Sequence, residues 1–142
     1  MQNFENHARL DPLFHRILMP LLLLTFMGAC VNFAKSLGDH ERIYSASLIL
    51  VLSLCLILAA FLGRVFPLKA QDRAIRAEEN LRHYVLTGKL LDPRLSVRQV
   101  VALRFASDGE FVALAAHAAD KSLPPKEIKK AIKNWRADEY RV

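Results

Sequence analysis

Two apolar stretches decide the fold of this chain: ILMPLLLLTFMGACVNFA at residues 17–34 and IYSASLILVLSLCLILAAFLG at residues 43–63. Neither stretch contains Asp, Glu, Lys, Arg or His, and the short polar segment 35–42 separates them. A helix needs about 20 apolar residues to cross the hydrocarbon core of a bilayer, which is roughly 30 Å thick. The two lengths therefore predict a pair of membrane-spanning helices joined by a short loop, that is, a transmembrane helical hairpin.

The rest of the 142-residue chain is long enough for one small soluble part. We predict an all-α protein in which an N-terminal interfacial segment (1–16) leads into the transmembrane hairpin (17–63). A juxtamembrane helix with a linker (64–95) and a small basic three-helix unit (96–142) follow. These last segments are expected to form a small cytoplasmic helical domain.

The first span carries two local signals near its beginning. Asp11 followed by Pro12 is typical of a helix start, with Asp11 as the N-cap. Pro20 lies well inside the span and cannot donate a hydrogen bond to the carbonyl of Arg16, which predicts a kink there.

The juxtamembrane segment is predicted to be a helix from Pro67 to about Thr87, with Gly88 as its C-terminal stop. Two acid-before-base pairs support it, Asp72 with Arg76 and Glu78 with Arg82. A narrow apolar stripe follows the same helix and consists of Ala70, Ala74, Ala77, Leu81, Tyr84 and Val85.

Three short helices are predicted in the unit 96–142. Ser96 with Gln99 and Ser107 with Glu110 match the capping box that opens a helix, and the third helix begins at Pro125. Because each helix is too short to be stable alone, we expect the three to pack together. Their apolar faces comprise Val97, Val100, Val101 and Phe105 in the first, Phe111, Leu114, Ala115 and Ala118 in the second, and Ile128, Ala131, Ile132 and Trp135 in the third.

The flanks of the two spans predict the orientation in the membrane. The flank before the first span and the segment just after the second carry seven Lys or Arg, whereas the loop 35–42 carries two. Asp39 and Glu41 offset those two loop cations. Because Lys and Arg favour the cytoplasmic side of a membrane, both termini are predicted to be cytoplasmic.

The positive charge is concentrated in the C-terminal half. From residue 64 onward there are sixteen Lys or Arg and ten Asp or Glu, so the net charge of +6 lies entirely there. At 100° per residue Lys126, Lys129, Lys130 and Lys133 fall on the helix face opposite the apolar one. Basic segments next to a membrane attract anionic lipid headgroups, so this face is predicted to contact lipid or a partner protein.

Arg104 interrupts the apolar pattern of the first short helix, where its angle places it between Val97 and Val100. A guanidinium in that position needs a partner, because burying a charge unpaired is costly. Asp108 and Glu110 are the nearest candidates in the sequence. A salt bridge that fixes the corner between two helices and a ligand-binding arginine are the two interpretations.

Both cysteines, Cys30 and Cys55, lie inside the apolar stretches and are interpreted as small buried hydrophobes. The tetrapeptide from Met27 to Cys30 also resembles the cleavage box of bacterial lipoproteins, in which the cysteine is lipidated. In that alternative, processing would remove the first 29 residues. The competing interpretation is a helix–helix contact built from Gly28 and Ala29.

The sequence is compatible with several classes of function. A non-enzymatic membrane-anchored adaptor and an accessory subunit of a larger membrane complex fit best, with other membrane subunits or a second copy as partners. A membrane-tethered nucleic-acid-binding protein is the alternative, because three short helices with a basic last helix are similar to a helix-turn-helix. The lysines lack interleaved Arg, Asn or Gln for reading bases. No nucleophile–base pairing, phosphate loop or metal-ligand cluster is recognisable, so we predict no enzymatic activity, cofactor or metal site.

Short segments spread over nearly the whole chain resemble a family of small bacterial two-span membrane proteins of unknown function. The resemblance implies a bacterial inner-membrane protein and brings no catalytic or binding residues with it. The segments are QNFENH at 2–7, PLFH at 12–15, QDR at 71–73 with Ile75 and Arg76, ALRFASD at 102–108, and KEIKKAIKNWR at 126–136.

Overall fold

A computed structural model describes Phe4 and residues 11–138, so most of the predicted interfacial segment 1–16 lies outside the described residues. Within the described residues every regular element is a helix, which confirms the predicted all-α class. A π-helical segment, Leu13–Leu18, is followed by α1 (Met19–Lys35), α2 (Ile43–Thr87), α3 (Val97–Leu103), α4 (Asp108–Asp120) and α5 (Pro125–Ala131). The described chain divides into two compact units, one of residues 11–66 and one of residues 67–138 together with Phe4.

The first helical segment begins as predicted at Asp11, whose carboxylate Oδ1 accepts a hydrogen bond of 2.8 Å from the Phe14 amide. The π-helical turns end at Leu18, two residues before Pro20. Pro20 has no amide hydrogen, so the carbonyl of Arg16 loses its α-helical donor. The turns before Pro20 are π-helical, and the Met19 amide donates to the carbonyl of Phe14, five residues before it. The kink expected at Pro20 stays a prediction.

Small side chains are the buried ones in unit 11–66. Ala29 and Ser36 in or next to α1, and Ala46 and Ser53 in α2, are all 5 % exposed or less. Each pair is seven residues apart, which keeps its members on one side of a helix. The guanidinium carbon of Arg64 lies 5.9 Å from the centroid of the Phe14 ring, so the beginning of the first helical segment lies beside residue 64 of α2.

The second span and the juxtamembrane segment, predicted as two helices, form the single 45-residue helix α2. Pro67 lies inside α2, although a proline removes one i→i−4 hydrogen bond and its ring crowds the carbonyl four residues before it. Gly88 ends α2 as predicted and has a φ of +74°. The chain then folds back, since the Leu91 amide donates to Asn80 Oδ1 and the ring Nδ1 of His83 lies 2.7 Å from the carbonyl oxygen of Lys89.

One of the two predicted capping boxes forms. The Ser96 side chain accepts a hydrogen bond from the Gln99 amide, and the Gln99 side chain accepts one from the Ser96 amide. Ser107 is the N-cap of α4, but its side chain makes no capping hydrogen bond, so the second capping box is wrong. The carboxylate of Glu110 instead accepts hydrogen bonds from two backbone amides that follow α5, those of Lys133 and Asn134.

The last helix ends earlier than predicted. α5 stops at Ala131, Ile132 is extended, and the chain then pairs with the segment between α3 and α4 in an isolated antiparallel bridge of Ala106 with Trp135. This return brings the Trp135 ring to 5.0 Å from the ring of Phe105, between centroids. Trp135 therefore lies against the core from an extended segment and not from the helix face that its spacing predicts.

The three short helices pack together as predicted, around one hydrophobic core. The apolar face predicted for α4 is correct, while α5 buries two of its four predicted residues, Ile128 and Ile132. In α3 the prediction is partly wrong, because Ala102 and Leu103 are fully buried and Val97 and Val101 are half-buried. The buried core comprises Leu91, Leu95, Val100, Ala102, Leu103, Phe105, Ala106, Phe111, Ala115, Ala118, Ala119, Ile128 and Ile132.

We predict opposite effects of two glycine-to-alanine substitutions on stability. At Gly88 a Cβ would meet no atom within 4 Å, so Gly88→Ala is penalised only by its positive φ. That conformation costs an L-residue about 1 kcal/mol, and we expect the free energy of unfolding to fall by this amount. Gly109→Ala, inside α4 and equally unobstructed, should raise it by about 0.5 kcal/mol. Denaturant titrations of the full chain in detergent, followed by circular dichroism, measure both, and equal effects would contradict the assigned cap.

Candidate functional site

The basic surface, defined as Lys126, Lys129, Lys130 and Lys133, is less uniform than a single helix face. Lys126, Lys130 and Lys133 are exposed, whereas Lys129 is half-buried with its Nζ 5.6 Å from the centroid of the Phe105 ring. Because α5 ends at Ala131, Lys133 projects from the segment after the helix. Three of the four ammonium groups are therefore presented to the surroundings, and the fourth rests on a core aromatic ring.

Among the described residues, at least two carboxylates lie close to this surface, because Glu110 accepts a hydrogen bond from the Lys133 amide and Glu127 lies beside Lys130. Glu127 Oε1 is 3.5 Å from the Nζ of Lys130, and both side chains are about half exposed. An exposed pair of this kind contributes about 0–1 kcal/mol, so it holds Lys130 only weakly. Lys126, Lys130 and Lys133 remain exposed.

Arg104 forms the salt bridge that its position requires, but with a different partner. It is the C-cap residue of α3, its Nε lies 2.9 Å from Oδ2 of Asp138, and its side chain is 10 % exposed. The predicted partners are occupied elsewhere, Asp108 with Arg82 and Glu110 with backbone amides. Asp138 is distant in sequence and near in space because the chain after α5 returns along the end of α3.

A second buried arginine, Arg82 in α2, was not recognised from the sequence. Its guanidinium donates to Glu79 Oε2 at 2.9 Å, to Asp108 Oδ1 at 2.7 Å and to the carbonyl of Ala106 at 2.7 Å. Its Cζ atom also lies 4.3 Å from the centroid of the Phe111 ring. These contacts join α2 to the segment between α3 and α4.

The sequence pattern assigns Arg82 to the wrong glutamate. Glu78 lies four residues before it, in the favourable spacing, but the structure uses Glu79, three residues before. Ile75, Glu79 and Arg82 lie on one side of α2 at spacings of four and three, and the first two are buried. The signal available in the sequence was this spacing, which places the charged pair Glu79 and Arg82 on the same side of the helix as the apolar residue Ile75.

The Arg82 cluster holds helices together. The Arg82 and Glu79 side chains are 11 % and 7 % exposed, and every guanidinium nitrogen of Arg82 has an acceptor. Among the described residues no group of three or more His, Cys, Asp or Glu could hold a metal ion. The arrangement therefore serves as a structural ion pair.

A smaller surface cluster fixes the loop before α3. The Arg94 guanidinium donates to Asp92 at 2.7 Å and to Asp120, the last residue of α4, at 2.9 Å. The hydrogen bonds that Asp92 accepts from the side chain and the backbone amide of Arg94 hold the pKa of Asp92 below its usual value. The linker between α2 and α3 is thereby attached to the end of α4.

Two helices are long and apolar enough to cross a membrane. The qualifying windows lie in Leu13–Lys35, of mean hydropathy 2.1 with 6 % of the window buried, and in Ile43–Thr87, of mean hydropathy 2.7 with 11 % buried. The hydroxyls of Thr25, Ser47 and Ser53 donate to backbone carbonyls of their own helices. These polar groups therefore have partners without needing water.

Comparison with known protein families matches residues 1–142 to a family of unknown function, DUF6526. The chain belongs to this family. No curated protein and no solved structure matches the chain. The predicted resemblance to a family without an assigned activity is thus confirmed for the whole length of this DUF6526 protein.

In this DUF6526 protein, Arg82→Met should strongly destabilise the unit 67–138. The substitution leaves the Glu79 carboxylate buried without its cation, and breaking a buried ion pair costs about 3 kcal/mol. Arg76→Met, at an exposed position of the same helix, should change the free energy of unfolding by about 0.5 kcal/mol or less. Denaturant titration of the full chain measures both.

A double variant separates loss of the ion pair from general damage at this site. Arg82→Met combined with Glu79→Leu removes both charges, and a well-packed apolar pair often replaces a buried ion pair at little cost. We expect the double variant to recover at least half of the lost stability. A double variant that is less stable than Arg82→Met would contradict the assignment.

Proposed function

We propose that this DUF6526 protein is a non-enzymatic, membrane-anchored adaptor or accessory subunit. In this proposal α1 and the first part of α2 form a transmembrane hairpin in a bacterial inner membrane, with both termini in the cytoplasm. The helical unit 67–138 is its cytoplasmic part, and the basic surface docks on anionic lipid headgroups. The observation that carries the proposal is the exposure of the two apolar windows.

Low burial argues against a soluble protein. A core helix of a soluble protein has its apolar residues covered by neighbours, but only 6 % and 11 % of these windows are buried. Contiguous apolar patches of this size are rare on soluble monomers. Hydrocarbon chains are the solvent in which such a surface is stable.

The hydrogen-bonding pattern fits the same environment. Backbone groups in a bilayer must be satisfied internally, which helices achieve. Neither window-bearing stretch, 17–34 or 43–63, contains Asp, Glu, Lys, Arg or His, and these are the side chains that substrate or proton pathways use. This supports an anchor in preference to a transporter.

The basic surface favours lipid as its partner. Each Lys near an anionic leaflet contributes about 1 kcal/mol, and three of the four ammonium groups are exposed. Trp135, an aromatic residue close in sequence to the lysines that a nucleic acid could use for stacking, lies against Phe105. An acidic partner protein is the competing occupant of the basic surface.

Insertion and orientation can be tested with single cysteines. In a background carrying Cys30→Ala and Cys55→Ala, His40→Cys lies in the loop between α1 and α2, and Lys121→Cys lies at the end of α4. A membrane-impermeant maleimide should label position 40 in intact spheroplasts and position 121 only after lysis. The protein should also stay in the membrane pellet after alkaline carbonate extraction.

Three outcomes would contradict this topology. They are labelling of both positions before lysis, reversed labelling, and release of the protein by carbonate. The intact mass distinguishes the lipoprotein alternative, because processing before Cys30 would remove the first 29 residues.

Lipid docking can be tested by hydrogen exchange on the full chain in nanodiscs. The amide hydrogens of residues 126–131 in α5 should be better protected in anionic than in zwitterionic lipid, and the difference should shrink at high salt because the charges are screened. Substituting Lys126, Lys130 and Lys133 by Gln should remove most of that difference.

The matched control removes the same charge from other exposed positions, by substituting Lys89, Arg98 and Lys121 with Gln. This control should retain the lipid-dependent protection. Equal protection in both lipids for the unmodified chain would exclude lipid docking and direct attention to a partner protein.

A further inference from the structure

The apolar stripe predicted on α2 is present and faces away from the protein. All six of its residues, Ala70, Ala74, Ala77, Leu81, Tyr84 and Val85, are exposed. The larger three are exposed to 63 % (Leu81), 54 % (Tyr84) and 75 % (Val85). This is an unpartnered helix face within the unit 67–138.

The opposite side of the same helix is already occupied. Ile75 and Glu79 are buried, and Arg82 is bound to Asp108 and to the carbonyl of Ala106. At 100° per residue these three side chains lie about 100–180° from the centre of the stripe. As long as the Arg82 cluster holds, the helices α3 to α5 cannot also cover the stripe.

The spacing of the stripe is that of a coiled-coil seam. Ala70, Ala74, Ala77, Leu81 and Tyr84 alternate steps of four and three residues. This alternation is the a/d pattern of the heptad repeat, in which two helices supercoil around each other. In this register Ala74 and Leu81 occupy a positions, and Ala70, Ala77 and Tyr84 occupy d positions.

The charges that flank the seam complement a second copy in parallel orientation. Arg73 falls at a g position and Glu78 at the following e position, and both are exposed. In a parallel two-stranded coiled coil, a g residue meets the e residue five positions later on the partner helix. Arg73 of each copy would therefore meet Glu78 of the other, twice by symmetry. Within one helix the two lie on opposite flanks of the stripe and cannot pair.

We propose that residues 70–85 of α2 form a parallel, in-register coiled coil with the same segment of a second copy of this chain. The parallel orientation rests on the proposed membrane insertion, because copies in one membrane point the same way. The interface is isologous, as a two-fold dimer requires. The three alanines allow the helix backbones to approach closely, while Leu81 and Tyr84 supply apolar area at the far end.

Confinement to a membrane compensates for the short length of the proposed coiled coil. Fewer than three heptads are available, and an isolated coiled coil of that length is weak in water. Confining both copies to one membrane raises their effective concentration and offsets part of the association cost. The dimer is expected to be reversible.

Disulfide cross-linking of the full chain in native membranes tests the proposal. In the background Cys30→Ala and Cys55→Ala, Ala77→Cys places a thiol at a central d position, and Arg76→Cys places one at an exposed position outside the seam. Mild oxidation should give a disulfide dimer of Ala77→Cys at a yield at least about fivefold above that of Arg76→Cys, because only seam positions approach within bonding distance.

Charge reversal tests the register. On the Ala77→Cys background, Arg73→Glu or Glu78→Arg turns two attractive contacts into repulsive ones and should lower the dimer yield about fivefold. Combining both substitutions restores opposite charges and should return the yield to within about twofold of the original.

The other occupants of the stripe give different results. Equal cross-linking at positions 76 and 77 indicates random collision, absence of a dimer indicates that the stripe lies on lipid, and a product of another mass indicates a different protein. Each of these results, or a charge-swapped pair that fails to recover, overturns the proposal. Yields are measured only in the carbonate-resistant pellet, so failure of insertion appears separately as protein in the supernatant.

Discussion

The contact on which the unit 67–138 depends is the guanidinium of Arg82. It binds one carboxylate from its own helix, one from the start of α4 and one backbone carbonyl from the segment between α3 and α4. Backbone carbonyls and carboxylates that meet in a partly buried place would repel each other without a cation between them. Arg82 supplies that cation, and the Phe111 ring beneath it belongs to the core. The ion cluster and the hydrophobic core are therefore one structural unit.

This contact also determines how α2 is used. A helix of 45 residues exposes much more surface than one small unit can cover. One side of its C-terminal part packs against the rest of the unit 67–138 through Ile75, Glu79 and Arg82. The side with Leu81 and Tyr84 remains exposed. The division follows from sequence spacing, since the two sets differ by about half a helical turn. A helix with two differently composed faces can hold its own domain and still present a surface.

The sequence predicted helices and their ends better than it predicted partners. Asp11, Gly88 and the Ser96–Gln99 pair act locally, within four residues, and each was correct. Arg104 and Glu110 bind residues more than twenty positions away, and no local rule identifies those partners. The partners of local hydrogen bonds can be predicted from neighbouring residues. The partners of long-range ion pairs can be predicted only when the path of the chain is known.

The same distinction explains the errors in the candidate site. The four lysines share a helical face only if α5 continues to residue 133, and it ends at Ala131 because Asn134 and Trp135 bind the segment between α3 and α4. A helical periodicity in the sequence can continue past the real end of the helix, because the sequence does not show the tertiary contacts that end it. The residues of the apolar stripe of α2 do share one side of the helix, because they lie in the interior of a long helix, but the buried side is the one with Ile75 and Glu79. The sequence does not show which side of α2 packs against the other helices of the unit 67–138.

Both surfaces proposed for function consist of individually weak contacts. A lysine at an anionic leaflet and a g–e charge pair contribute about 1 kcal/mol or less each. Such contacts cannot hold a soluble protein to a partner at cellular concentrations, since micromolar affinity needs about 8 kcal/mol. For a chain already confined to a membrane, most of the association cost has been met before the surfaces meet. In the proposed function, anchoring by the apolar helices is what makes weak, salt-sensitive surfaces effective, and two stretches without Asp, Glu, Lys, Arg or His supply that anchor.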